Sequence, residues 1–124
     1  MPRISFAFTL ALGLAASASA APTPIQHVEL RSYAYNPAPI HLKAGQPVTL
    51  HFMNQAGKSH DFTARRFFAA SKILSGSAPN GEVELKPGTT AAITLIPAAG
   101  KYKVHCSHPF HKQLGMRAKI IVEQ

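Results

Sequence analysis

Three side chains that can bind metals recur at intervals of five near the end of the chain. Cys106, His111 and Met116 lie in the segment CSHPFHKQLGM, between two stretches that alternate apolar and polar residues. A thiolate, an imidazole and a thioether form a soft to borderline ligand set. The spacing therefore indicates a metal site built largely from one loop, with at least one further ligand supplied from elsewhere in the chain.

The period of two in β-strands separates the histidines that can share this site from those that cannot. In the stretch ending at Cys106, Tyr102 and Val104 have the same parity, so the cysteine is predicted to point inward. Met116 has the parity of Ile120 and is placed on the core side as well. By the same argument, four of the seven histidines point outward: His27, His41, His51 and His105. The other three lie in predicted loops: His60, His108 and His111.

Two histidines and a cysteine in a trigonal arrangement, with a distant axial methionine, form the ligand set of blue copper electron-transfer sites. His60, in the segment KSHDF, follows an inward-patterned strand and is the best candidate for the second histidine. We therefore expect one copper ion bound by His60, Cys106, His111 and Met116. For His108, three roles stay open: a surface residue, an alternative ligand, or part of a second, weak metal site.

Short strands separated by Gly and Pro turns must position these residues, as in a sandwich or barrel. The pattern predicts strands at Val28–Ser32, Ile40–Lys43, Pro47–Met53, Val83–Leu85, Thr90–Ile96, Lys101–Cys106 and Arg117–Glu123. Val83–Leu85 and Thr90–Ile96 are interpreted as a pair around the turn Lys86-Pro87-Gly88. Ala64–Leu74 has spacing closer to helical and predicts a short helix or an irregular excursion.

With these residues in place, the sequence resembles the cupredoxins over essentially all of residues 21–124. The loop is similar to the Cys-x-x-Pro-Gly-His-x-x-x-Gly-Met form of several bacterial members. The resemblance implies an all-β, Greek-key β-sandwich with a short helical excursion, one type 1 copper and single-electron transfer. Phe110 departs from the pattern because glycine is usual before the histidine. Asp61 stands where asparagine is common, at a residue that often ties the two ligand loops together.

The first twenty residues have the features of an export signal. Arg3 supplies a basic start, Ile4–Ala16 is an almost unbroken apolar run, and Ala18-Ser19-Ala20 is a small-residue cleavage pattern. We expect cleavage before Ala21 and no transmembrane anchor afterwards. The protein is then expected to be periplasmic or secreted. Residues 21–124 are then one copper-binding domain.

The charge and the loop composition suggest what kind of partner the protein meets. The chain has a net charge of +8 without a block of like charges, which gives no indication of a nucleic-acid arm. Around His111, Pro109, Phe110 and Leu114 would form a small apolar patch ringed by Lys112 and Arg117. We expect transient redox partners with acidic surfaces, no nucleic acid, and a monomer.

Other functions fit the sequence less well. A structural zinc site lacks the usual Cys-x-x-Cys or paired histidines, and a catalytic cysteine needs exposure that the inward Cys106 would lack. His105-Cys106 is followed by Ser107, so the trinuclear site of copper oxidases cannot be assembled and no enzyme is expected. A metal-free interaction sandwich would leave His60 and His111 unexplained. The main alternative is a copper chaperone or scavenger of the cell envelope.

Overall fold

A computed structural model describes residues 2, 11–15 and 21–124. The predicted signal peptide, residues 1–20, lies mostly outside the described residues, so its cleavage stays a prediction. Across the part of the chain that is described, no helix has both the length and the apolar character needed to cross a bilayer.

Residues 21–124 form two five-stranded sheets. One sheet has the order β2-β1-β4-β8-β6 and the other β3-β10-β9-β5-β7. The strands are β1 Ile25–Arg31, β2 Ala34–Asn36, β3 Ile40–Lys43, β4 Val48–Asn54, β5 His60–Thr63, β6 Lys72–Ser75, β7 Glu82–Leu85, β8 Thr90–Ile96, β9 Gly100–His105 and β10 Arg117–Glu123. Two parallel pairings, β1 with β4 and β10 with β3, join distant parts of the chain. The expected all-β sandwich is thereby confirmed.

Alternation along the strands builds the core between the sheets. In β4, Val48, Leu50 and Phe52 are buried, whereas His51 and Met53 lie on the outer face. Val104 and Cys106 point inward at the end of β9, as the parity predicts. Each fully buried side chain of this size contributes roughly 1.5–3 kcal/mol relative to an exposed one. This apolar layer fixes the register of the strands, because a slip by one residue would turn each set outward.

Two predictions about elements need correction, and one short strand was not predicted. His60 is not in a loop but opens β5, which was missed because all four of its residues are buried and show no alternation. Val83–Leu85 and Thr90–Ile96 do not pair: β7 pairs with β5, and β8 pairs with β4, so the turn between them passes from one sheet to the other. Strand β2 also went unrecognised, because it is only three residues long.

The predicted helical excursion is shorter than its sequence pattern. Helix α1 spans Arg65–Ala70 and buries Phe67 and Phe68 against the core. The chain then forms the edge strand β6, which pairs with β8 through an irregularity between Ile73 and Ser75. All four residues of β6 are exposed, so no apolar alternation identifies it as a strand.

Candidate metal centre

Cys106 reaches the centre from the end of β9. It is 1% exposed, and its Sγ accepts a hydrogen bond from the backbone N–H of Asp61 at 3.5 Å. Burial raises the pKa of the thiol, and the backbone N–H groups of Asp61 and His108 oppose that shift. A cation beside the sulfur would reverse the balance, because a coordinating thiol loses its proton.

His60 holds a fixed orientation at the start of β5. The residue is fully buried, and burial is the main reason that the pKa of its imidazole is lowered, so the ring stays neutral. Ser32 Oγ lies 2.8 Å from Nε2, where it can accept a hydrogen bond from that nitrogen. Nδ1 then keeps its lone pair for a metal, since the bond on one ring nitrogen sets the tautomer of the other.

His111 completes a triangle of donor atoms. Its Nδ1 lies 3.1 Å from His60 Nδ1 and 3.4 Å from Cys106 Sγ, and the sulfur is 3.9 Å from His60 Nδ1. Metal–nitrogen and metal–sulfur bonds of about 2.0–2.3 Å place neighbouring ligand atoms roughly 3–4 Å apart. Burial lowers the pKa of His111 too, with the nearby His108 as the next cause. The three donor atoms therefore lie close enough together to hold one metal ion.

Met116 ends the loop that carries Cys106 and His111, and its backbone is hydrogen-bonded to both residues. Its carbonyl accepts a hydrogen bond from Cys106 N at 3.1 Å, and its own N–H donates to the His111 carbonyl at 3.0 Å. The side chain is fully buried on the core side. The backbone thus brings the fourth predicted ligand residue next to the other two from this loop, as the five-residue spacing suggests.

Asp61 ties the strand of one histidine to the loop of the other. Its buried carboxylate accepts hydrogen bonds from Thr63 Oγ1 at 2.7 Å, from Ser107 N at 2.9 Å and from the Ser107 hydroxyl. Its carbonyl accepts a hydrogen bond from Tyr35 Oη at 2.6 Å. An aspartate thus joins β5 to the 106–116 loop, at the position where asparagine is common in the family that the sequence resembles.

Phe110 has an unusual backbone conformation for its residue type. Its φ is +67°, in the left-handed region that favours glycine. This explains why glycine is usual at this position in the resembled motif. The Phe110 side chain is 75% exposed, so it gains little from packing. A strained, exposed aromatic residue next to a predicted metal ligand is typical of a functional surface.

His108 lies beside the triangle but is engaged with a carboxylate. Its Nε2 donates to the Glu84 carboxylate at 2.8 Å, and its ring stacks on His111 with centroids 5.4 Å apart. Donor atoms of Asp61, Cys106 and His108 also lie within 4.8 Å of one another. The Asp61 oxygens already accept several hydrogen bonds. The group of His60, Cys106 and His111 is therefore more available to a metal ion than the group of Asp61, Cys106 and His108.

Sequence reasoning missed two residues that support the histidines. Ser32 fixes His60, and the Tyr33 ring packs edge-on against both His60 and His111, with centroids 6.0 and 4.9 Å away. Both residues follow β1 and come from a part of the chain remote from their partners. Their types and local spacing carry no signal of these contacts.

Comparisons with known proteins agree with this geometry. The family model described as "Cupredoxin-like domain" matches residues 4–122, and no curated protein sequence matches the chain. A multicopper oxidase from Campylobacter jejuni superposes with a TM-score of 0.66 at 12% identity, over 86% of this chain but only 31% of the oxidase.

Two smaller proteins are matched over nearly their whole length. A reduced auracyanin from Roseiflexus castenholzii has a TM-score of 0.59 at 22% identity, over 83% of this chain and 98% of the auracyanin. Auracyanin A of Chloroflexus aurantiacus, a blue copper protein, has a TM-score of 0.58 at 21% identity, over 82% and 99% of the two chains. At these identities the superpositions show the fold.

Proposed function

The chain belongs to the cupredoxin-like domain family, and from this premise we propose that it is a type 1 copper protein that carries single electrons between redox partners. The observation that carries the proposal is the triangle of His60 Nδ1, Cys106 Sγ and His111 Nδ1, with sides of 3.1, 3.4 and 3.9 Å. The auracyanins, matched over nearly their whole length, support a carrier more than an oxidase domain.

Copper bound by His60, Cys106, His111 and Met116 would supply a one-electron couple. The residues around them hold the donors in place. Ser32 fixes one imidazole, and Asp61 joins the two ligand-bearing segments. Donors that are fixed in this way move little when the charge at the site changes. The N–H of Asp61 aimed at Sγ stabilises a negative sulfur and would tune the potential.

Electrons would enter and leave through the His111 side of the centre. Phe110 and Leu114 are 75% and 60% exposed, and they form an apolar patch with Pro109 around the half-buried His111. Beside this patch, four cationic side chains line a groove on the outer face of β9 and β10: Lys103, Lys112, Arg117 and Lys119. We propose that partners with acidic surfaces dock here and leave quickly, as transient redox partners do.

The proposed location is the periplasm or the exterior, after removal of residues 1–20. The support is the sequence pattern of an export signal together with a lone cysteine, Cys106, that would be occupied by metal.

Copper handling in the cell envelope is the second candidate function. The observation that favours it is the supply of histidines outside the centre, among them His27 and His51 on an outer sheet face. The two functions differ in what happens to the metal on reduction. A carrier keeps Cu(I), whereas a chaperone or scavenger passes it on.

The experiment is voltammetry of the mature protein loaded with one equivalent of copper, followed by reduction in the presence of a competing Cu(I) chelator. A reversible one-electron wave, with copper retained through repeated cycles, supports electron transfer. Rapid loss of copper to the chelator after reduction would move the assignment to copper handling. Asp61→Asn is a suitable companion variant, because a carrier should show a shifted potential while keeping its metal.

A further inference from the structure

Two histidines lie side by side on the outer face of the other sheet. His27 of β1 and His51 of β4 are direct partners in the parallel pairing of these strands, and their ring centroids are 5.3 Å apart. His27 is exposed and His51 partly exposed. Because neighbouring strands are about 4.8 Å apart and directly opposed side chains rise from the same face, two such imidazoles can both turn a nitrogen toward one ion.

A thioether lies next to this pair. Met53 is two residues after His51 on β4 and therefore on the same face, and it is 36% exposed. Its Sδ is 3.3 Å from Gln55 Nε2, so the sulfur points to the polar surface and not into the core. The face thus presents two imidazoles and one thioether within adjacent strand positions.

The carboxylate nearest to this group is already engaged. Glu29 is the strand partner of Met53, but its Oε2 accepts hydrogen bonds from Arg31 at 2.6 and 3.1 Å and from Asn36. Glu29 Oε2 is thus paired with a cation, whereas Met53 Sδ accepts a weak hydrogen bond from the exposed Gln55 side chain, which a metal ion can displace. The donors of this face are then mainly imidazole nitrogen and soft sulfur. Imidazole suits zinc, copper and nickel, whereas a thioether selects Cu(I), so the combination favours copper over hard cations.

We propose that His27, His51 and Met53 form a second copper site, open to solvent and separate from the buried centre. It lies on the β2-β1-β4-β8-β6 sheet, whereas the cysteine and both histidines of the buried centre belong to the β3-β10-β9-β5-β7 sheet and its loop. Its ligands are exposed, include no thiolate, and leave coordination positions for water or an incoming donor. Such a site takes up and releases copper readily, which suits capture of the ion rather than electron transfer.

The test is a titration of the full mature protein with Cu(II), followed by electron paramagnetic resonance. We expect a second equivalent with a spectrum distinct from the first, and we expect His27→Gln and His51→Gln each to remove it. His41→Gln is the matched control, because His41 is equally exposed but lies on β3 in the other sheet. His108→Gln tests a partly exposed imidazole outside this face, which lies beside Glu84.

The outcomes separate clearly. The proposal is overturned if the wild-type protein binds no second equivalent, if that equivalent persists in either His27→Gln or His51→Gln, or if only His108→Gln removes it. Repeating the titration in Cys106→Ser keeps the result independent of the buried centre, since the surface equivalent should remain there.

The thioether has its own measurement. In an anaerobic competition for Cu(I), Met53→Leu keeps the side-chain volume and should weaken binding at this face by about tenfold or more, about 1.4 kcal/mol, while Cu(II) binding is unchanged. Equal Cu(I) affinity in the wild-type protein and Met53→Leu would remove the methionine from the site.

Discussion

The two histidines of the metal centre lie in unlike surroundings. His60 is fully buried in β5, which pairs with β7 on one side and β9 on the other. The Ser32 hydroxyl holds its Nε2. His111 lies in a loop of turns, half-buried, between the exposed Phe110 and Leu114. Under the proposed function, the β5 side would fix the geometry of the donors, and the loop side would present the centre to partners.

Asp61 is the connection between these two regions, and its removal has the largest expected effect. In Asp61→Ala, the Thr63 hydroxyl and the Ser107 N–H and hydroxyl all lose their acceptor. We expect the metal-free protein to lose about 2–4 kcal/mol of its free energy of unfolding, because each buried unsatisfied group costs about 1–3 kcal/mol. Urea denaturation measures this loss.

Asp61→Asn is the control, because an amide oxygen in place of Oδ1 can still accept the hydrogen bonds from Thr63 Oγ1 and Ser107 N. It should cost clearly less than Asp61→Ala. Equal stability of Asp61→Ala and the wild-type protein would mean that the two regions hold their positions independently.

Replacing each histidine by glycine tests the comparison directly. His60→Gly leaves a buried gap and should cost the metal-free protein about 2–3 kcal/mol, whereas His111→Gly should stay within about 1 kcal/mol. Added imidazole should restore copper binding in His111→Gly, which opens toward solvent, but not in His60→Gly. Absorption titrations with and without imidazole measure this. Rescue of both variants to the same extent would contradict the proposed difference between a buried His60 site and a solvent-facing His111 site.

The free energy of unfolding of the metal-free protein should depend on pH through the titration of His60 and His111. Burial lowers the pKa of His60 and His111 below their ordinary value of 6.5. The unfolded chain then binds protons more readily below about pH 6.5, so stability falls as the pH falls from there through the folded pKa values. Each of the two histidines can contribute at most one proton, that is, about 1.4 kcal/mol per pH unit to the slope.

Denaturation between pH 7.5 and 5 measures this slope in His60→Gln and His111→Gln. The larger reduction is expected in His60→Gln, because its ring is the more deeply buried. A slope that is unchanged in His60→Gln would mean that another group governs the dependence.

The smallest effect concerns the backbone of the exposed loop. Phe110→Gly relieves the left-handed strain, worth about 1–2 kcal/mol, against a rise in chain entropy of about 0.4–1 kcal/mol. A net gain of about 0.5 kcal/mol or more in unfolding free energy is expected, together with slower electron exchange with partners. Leu114→Gly, at an exposed position without positive φ, should gain nothing; a gain in this control would remove strain as the cause.

Much of this arrangement follows from the sequence, and the exceptions have physical reasons. Alternation placed Ile40–Lys43, Thr90–Ile96 and Arg117–Glu123 at their observed bounds because each has one face in the core. Strand β5 was not predicted because all four of its residues are buried, and β6 was not predicted because all four of its residues are exposed. Neither strand therefore shows alternation.

Within the centre, spacing identified the loop residues but not their supports. Cys106, His111 and Met116 share one short loop, so sequence distance limits their spatial distance. Ser32 reaches His60 across 28 residues, and that contact depends on how β1 ends and where β5 begins. The roles of Tyr33 and Ser32 therefore required the folded structure.

The central claim is that His60, Cys106 and His111 together hold one copper ion, and visible absorption with electron paramagnetic resonance tests it most directly. Mature protein given one equivalent of Cu(II) should show an intense thiolate-to-copper band and a narrow hyperfine splitting. Both should disappear in Cys106→Ser, while His41→Gln keeps them. A pale spectrum with ordinary splitting, unchanged in Cys106→Ser, would contradict the account.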